Sequence, residues 1–329
     1  MTGDISRRGF VRTAARGAVV GSAAVATELA GRSTLAVDTR KFIIDTHMHV
    51  WGNDRKRYPF VHPYQPDFVD APHSATLESL IADMDEHGCT HSVLVQVIYH
   101  GWDNQYLAAC LQKYPSRLRG HGLIDPTDIQ VADKLEFWME QRGLHGMRFS
   151  PIYYENGQHG GDDWIEAPHM HRLWKVAAAR RAIFNFFISP RQLPKLARMI
   201  RTYPEVPIVI DHLGRADLKS TDAEAELKNL LDLARMKNVW VKVSELNAVS
   251  REVAYPFRDT YGWVKRVYEA FGPDRLLFGT GFPGSARAAY NRPTLREEID
   301  LIDRHIPCFT ADDRLKILGG NAAKLWNFA

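Results

Sequence analysis

Cysteine is nearly absent. The three present, Cys89, Cys110 and Cys308, are isolated, odd in number and form no C-x-x-C pair. That spacing argues against a disulfide framework, even in an oxidising compartment. Cys89 and Cys110 fall in helical patterns and are expected as small core residues. An excess of charge is missing too. The formal net charge of +3 comes from the N-terminus, where Arg7, Arg8, Arg12, Arg16 and Arg32 face only Asp4 and Glu28. From residue 37 onward, 37 basic residues balance 37 acidic ones. With no basic helix and no interleaving of arginines and aromatics, nothing points to nucleic acid or anionic membranes. Low-complexity tracts, internal repeats and linkers are absent after residue 37. No Gly-rich phosphate turn follows the first strand, which argues against an open doubly wound sheet.

What is present begins with a leader. Ser6-Arg7-Arg8-Gly9-Phe10-Val11 resembles the twin-arginine export motif, and a small-residue apolar stretch runs from Gly17 to Ala30. This is the layout of a signal peptide over residues 1–36, too short and too rich in alanine and glycine for a membrane span. Cleavage is expected within 26–37, at Ala24-Val25-Ala26 or Thr34-Leu35-Ala36. The mature protein is then expected in the periplasm, with no integral membrane segment.

The remainder is organised around Phe42-Ile43-Ile44-Asp45-Thr46-His47-Met48-His49. Its apolar start reads as a strand buried on both faces. Side chains alternate along a strand, so His47 and His49 project to one side. Two imidazoles so placed can grip a metal ion or an anionic substrate group. A patternless segment at 51–74 follows, holding Trp51, Tyr58, Phe60, His62, Tyr64, Phe68 and His73. So aromatic a loop is expected to fold, as a lid. Further strands are expected at 92–97, 119–124, 144–149, 183–188, 207–212, 239–245 and 275–280. Eight strands alternating with eight helices predict an α/β fold. It is a (β/α)8 TIM barrel over residues 41–329 with long loops at its C-terminal face, where the active site is built.

Six motifs, in order, carry a resemblance. They are Asp45-Thr46-His47-Met48-His49-Val50-Trp51, Gly146-Met147-Arg148-Phe149, Ile210-Asp211-His212-Leu213-Gly214, Val241-Lys242-Val243-Ser244, Leu277-Phe278-Gly279-Thr280-Gly281-Phe282-Pro283 and Leu318-Gly319-Gly320-Asn321-Ala322-Ala323-Lys324-Leu325. From about residue 41 to its end the chain resembles the amidohydrolase-related branch of the metal-dependent hydrolase superfamily. That branch holds sugar-acid lactonases, dicarboxylate lactone hydrolases and some decarboxylases. The resemblance implies that His47 and His49 bind metal, or substrate in metal-free members. It makes His212 a further ligand or a carbonyl polariser. Arg148 would clamp a carboxylate or lactone oxygen, a task suited to a bidentate guanidinium. Trp51 and Tyr153, from the two long loops, are expected against a small-molecule substrate. Asp45 and Asp211 are expected to orient their neighbours.

Two positions depart from the family. Gly281 follows the eighth strand where the family usually carries an aspartate that holds metal and takes the proton from the attacking water. Phe187 stands late in the fifth strand, where many metal-binding members have histidine. The metal set left is His47, His49, His212 and Glu245, so zinc or manganese is expected to bind weakly or not at all. Glu245 is the candidate base; the alternative is a loop salt bridge to Arg251 or Arg258. The implied activity is hydrolysis of a small polar lactone or cyclic ester of a carboxylated compound. Decarboxylation is the second expectation, and a degenerate barrel that binds an organic acid, with Gly281 as its support, is the third.

Overall fold

The computed structural model describes residues 42–71, 73–252 and 254–328; the leader expected at 1–36 lies outside the described residues. The described chain forms an eight-stranded parallel sheet in the order β1 to β8. The strands are β1 Ile44–Met48, β2 His91–Val95, β3 Leu118–Gly122, β4 Gly146–Phe149, β5 Ile183–Phe186, β6 Ile208–Ile210, β7 Val239–Val243 and β8 Leu276–Phe278. A main helix connects each strand to the next: Leu77–His87, Gln105–Lys113, Val131–Glu136, Pro168–Arg180, Leu193–Thr202, Ala223–Leu231 and, after the short helix Leu246–Val249, Tyr261–Phe271, with Leu295–Asp300 after β8. This is the (β/α)8 barrel. Between β8 and β1 the barrel is drawn together by specific bonds. Thr46 Oγ1 donates to the Phe278 carbonyl at 2.6 Å, and the His49 amide to the Gly281 carbonyl at 2.7 Å. No helix among the described residues is long and apolar enough to cross a membrane.

Local chemistry sets the elements. In helix Leu77–His87 the Thr76 hydroxyl accepts from the Ser79 amide, capping the first turn. Leu77, Leu80 and Met84 are buried on one stripe, and Gly88, at φ 74°, ends the helix in the left-handed conformation that glycine adopts freely. Gly146 has a different reason. A Cβ there would lie 1.8 Å from the Ile183 carbonyl oxygen, so glycine is what lets β4 and β5 approach.

The core has two parts. Most apolar side chains pack between the sheet and the helices. Inside the barrel Ile44, Val93, Ile183, Val209 and Leu277 form the floor, closed from below by Ala322, Ala323, Trp326 and Phe328. Cys89 and Cys110 are buried in the larger part, between sheet and helices, as their patterns predict. Above the floor the interior turns polar.

The strands are shorter than the sequence suggests, mainly at their C-terminal ends. Those residues leave the ladder to build the mouth. β6 stops at Ile210, freeing Asp211 and His212, and β7 stops at Val243, two residues before Glu245. His212, Leu213, Arg215 and Glu245 all have positive φ. Such backbone costs of order 1–3 kcal/mol per residue and gathers where function fixes a side chain.

Candidate active site

β1 carries an irregularity. Between Asp45 and Met48 its register against β2 slips by one residue. A bulge of this kind re-aims side chains. Asp45 fastens it: its carboxylate accepts the His47 amide at 2.9 Å, the Thr280 amide at 3.0 Å and the Thr280 hydroxyl at 2.5 Å. Asp45 is thus an orienting residue, as expected.

The two histidines meet. Their Nε2 atoms are 3.2 Å apart. His49 Nδ1 is 2.8 Å from the Val95 carbonyl, which can only accept, so Nδ1 carries the proton and Nε2 offers a lone pair. His47 lies deeper, with Nδ1 3.1 Å from Lys242 Nζ. One consistent assignment runs through all three. Lys242 donates to His47 Nδ1, His47 Nε2 donates to His49 Nε2, and His49 Nδ1 donates to Val95.

Beneath them sits Asp211, fully buried. Its oxygens accept from Lys242 at 2.9 Å, Arg148 Nε at 3.1 Å and Asn185 at 3.2 Å. Beside it, His212 Nδ1 is 2.8 Å from the Ser244 hydroxyl and Nε2 is 3.2 Å from Glu245 Oε1. Burial, with Lys242 adding to it, holds His47 well below the usual imidazole range. Burial and then the Arg148 charge lower His49 to about 3. Burial and His47 push His212 well down. All three are therefore neutral at neutral pH.

Above opens a cavity of about 360 Å³, lined by His49, Arg148, Tyr153, Phe187, His212, Arg215, Glu245 and Arg292, among others. Arg148 lies over the Phe187 ring, 4.5 Å from its centre. Glu245 is bound from three sides: Oε1 by His212 and by Arg292 at 2.7 Å, Oε2 by Arg215 at 3.1 Å.

Most of the expected site residues converge here, and four expectations need correction. Trp51 does not face the cavity. It is fully buried, its Nε1 donates to the His73 carbonyl, and it props Tyr99 and Phe282 from behind. The arginines that hold Glu245 are Arg215 and Arg292, not Arg251 or Arg258. The group whose ligand atoms lie within 4.8 Å of one another is His47, His212 and Asp211, so Asp211 stands in place of Glu245 and His49 falls outside it. The segment at 51–74 likewise packs on the wall instead of lining it. Phe68 stacks on Tyr99, and Tyr64 bonds Tyr154 and packs on Tyr153.

Lys242 was legible but overlooked. A lysine inside Val-Trp-Val-Lys-Val, on the inward parity of Trp240, is a charge that a parallel barrel must bury and pair. Arg215 and Arg292 stand in loops with no such signal.

The donor set suits a metal. The ligand atoms of His47, His212 and Asp211 lie within 4.8 Å of one another, a spacing that one ion can span. The contact of Lys242 with both His47 and Asp211 opposes it, since an ammonium already occupies their free valence.

A family model described as amidohydrolase matches residues 44–328. The chain belongs to that family. Among characterised relatives, 4-sulfomuconolactone hydrolase of Rhizobium radiobacter is 29% identical over 283 residues, 86% of this chain and 89% of the relative. L-fucono-1,5-lactonase of Burkholderia ambifaria is 27% identical over 296 residues, 87% and 95% of the two chains. In fold this amidohydrolase matches a probable 2-pyrone-4,6-dicarboxylic acid hydrolase of Acinetobacter baumannii, crystallised with citric acid, at TM-score 0.71 and 23% identity over 87% and 99% of the chains. It also matches a zinc-bound amidohydrolase of Burkholderia multivorans at TM-score 0.68 and 20% identity, over 88% and 100%.

Proposed function

We propose that this amidohydrolase opens a small lactone or cyclic ester that carries an acidic group. The cavity itself supports this most directly: Arg148, Arg215 and Arg292 converge with His49, His212 and Glu245 on one space of about 360 Å³. Three guanidiniums against one carboxylate leave a positive surplus, which selects an anionic ligand. That the relatives act on a sulfomuconolactone and a fuconolactone supports the reading.

The chemistry follows from the geometry. Arg148, anchored through Nε to Asp211, presents the rest of its fork to the substrate carbonyl or carboxylate. Neutral His212, tethered by Ser244, stands beside the same carbonyl. Water adds to the carbonyl carbon and Glu245 receives its proton. These preplaced donors stabilise the oxyanion. Glu245 then returns the proton to the ring oxygen as the C–O bond breaks, giving a hydroxy acid. A zinc or manganese ion held by His47, His212 and Asp211 would add Lewis-acid polarisation.

A second reading, decarboxylation, is favoured by one feature: both Glu245 oxygens are occupied and Gly281 supplies no other base. Incubating the protein with carboxylated lactones and following acid release tests both. Ring opening upholds the hydrolase. Carbon dioxide release from an aromatic acid, with every lactone left intact, would replace it. Binding with neither reaction would leave the organic-acid binder.

A further inference from the structure

Past the end of β6 the backbone takes a form that L-residues avoid. His212, Leu213, Gly214 and Arg215 stand in succession at φ 51°, 53°, 64° and 59°, a left-handed turn in which only Gly214 is glycine. Single left-handed residues are common in turns, but a run of them crowds each Cβ against a carbonyl oxygen. Short backbone bonds close this turn: the Gly214 amide donates to the Asp211 carbonyl at 2.9 Å and the Ala216 amide to the Leu213 carbonyl at 3.4 Å. At that spacing residues three apart lie over one another. His212 and Arg215 are such a pair, and both reach Glu245. His212 Nε2 is 3.2 Å from Oε1, and Arg215 Nη1 is 3.1 Å from Oε2. Glu245 is left-handed too, at φ 54° and ψ 38°. Strained residues from two loops thus converge on one carboxylate, and strain of this kind persists only where the surroundings over-determine it. The two oxygens are not held alike. Arg292 shares Oε1 with His212, whereas Oε2 has Arg215 alone among the described residues.

We infer that Arg215 is a positioning residue: it acts through Glu245, and the left-handed turn is what delivers it there. With Arg215 in place the carboxylate is gripped at both oxygens and cannot turn about its last bond. Without it, Oε2 swings free while Oε1 stays tethered, and the base loses its aim. Phe187 keeps the guanidinium on station, with its ring centre 5.6 Å from the guanidinium carbon. The role of Glu245 as base rests on the hydrolase reading; the grip of the turn on Glu245 does not.

Arg215→Asn separates the side chain from the backbone that carries it. Asparagine tolerates left-handed backbone better than other L-residues, so the turn is kept while the guanidinium is gone. In lactone hydrolysis by the full-length protein, kcat is expected to fall by about 10–100-fold with KM within about threefold, because a misaimed base slows the chemistry and leaves ground-state binding alone. Arg215→Lys keeps a cation at Oε2 without the planar fork and should recover part of the loss. Arg215→Asn is expected to melt at or above wild type, and Arg215→Val, whose branched side chain resists that backbone, below both. An unchanged kcat in well-folded Arg215→Asn overturns the inference, and so does a KM about tenfold higher at unchanged kcat, since Arg215 would then meet the substrate. Asn and Val variants that melt alike would overturn the strained turn. If wild type opens no lactone, the hydrolase reading falls and hydrogen exchange judges the grip by itself. Glu245→Gln, which weakens the hold on Arg215, should then speed exchange at the Gly214 and Ala216 amides by about tenfold. Unchanged exchange at both amides would show that Glu245 does not hold the turn.

Discussion

Nζ of Lys242 lies 2.9 Å from Oδ1 of Asp211, and neither side chain reaches solvent. Around this pair the centre of the barrel is organised. Burial alone would raise the Asp211 pKa, but Lys242, His47 and Arg148 outweigh it and hold it well below the usual carboxylate range. Burial pulls Lys242 down, with Asp211 opposing. Removing one partner of such a pair leaves the other charge buried, which typically costs about 3–5 kcal/mol.

Asp211→Asn is therefore expected to lower stability by about 3–5 kcal/mol, since Lys242 and Arg148 are left facing each other. Lys242→Met should cost less, because Arg148 and Asn185 still serve the carboxylate. The double variant should be milder than the sum of the singles. Denaturant unfolding of the three proteins measures the cycle, and additive losses would show that the pair is not coupled.

That network marks where the sequence could be read and where it could not. The barrel was legible because strand and helix periods alternate eight times and each strand is a short apolar run. His47, His49, His212 and Arg148 were legible because they end strands. Trp51 misled because aromatic content says that a loop folds, not which way each ring faces; the segment packs on Tyr99 and Tyr153 from outside. Arg292 could not be found at all. Its place in the site depends on the fold of the loop after β8, which no local pattern records.

Metal content follows from the same contacts. Zinc is expected below one ion per chain in the purified protein, because Lys242 competes for His47 and Asp211. Lys242→Met should bind zinc more tightly and regain stability on adding it. Tight, stoichiometric metal that survives the double change His47→Ala and His49→Ala would refute the site.

Glu298 gives the clearest pH signature. Burial raises its pKa from 4.5 to about 7, against the pull of Arg287 and Arg292. A raised carboxyl favours the folded state while protonated, so its contribution is full below 4.5 and lost as pH rises through 7. That gap corresponds to about 3 kcal/mol. Glu298→Gln should gain on wild type by roughly that amount between pH 4 and pH 8. Urea unfolding at both values decides it; parallel stabilities would mean that Glu298 titrates normally.

Export is expected to depend on Arg7 and Arg8. Changing both to lysine should leave the precursor in the cytoplasm, and unchanged periplasmic recovery would sink the twin-arginine reading.

The missing base is the sharpest question. Glu245→Gln is nearly isosteric and should leave the fold intact, yet losing a positioned base costs about 10²–10⁴ in rate, or roughly 3–5 kcal/mol. An equally fast variant would move the base elsewhere. Gly281→Asp is then informative, because nothing in the backbone or the surrounding space forbids it. The new carboxylate would meet Arg292 before it met water or metal. The single variant is thus expected to melt like wild type and to gain neither rate nor zinc affinity. Adding Arg292→Gln frees the aspartate toward His47 and His49. The pair of changes should then tighten zinc by about tenfold or more, as one further charged ligand would. If Gly281→Asp alone restores tight metal, Arg292 does not guard that space.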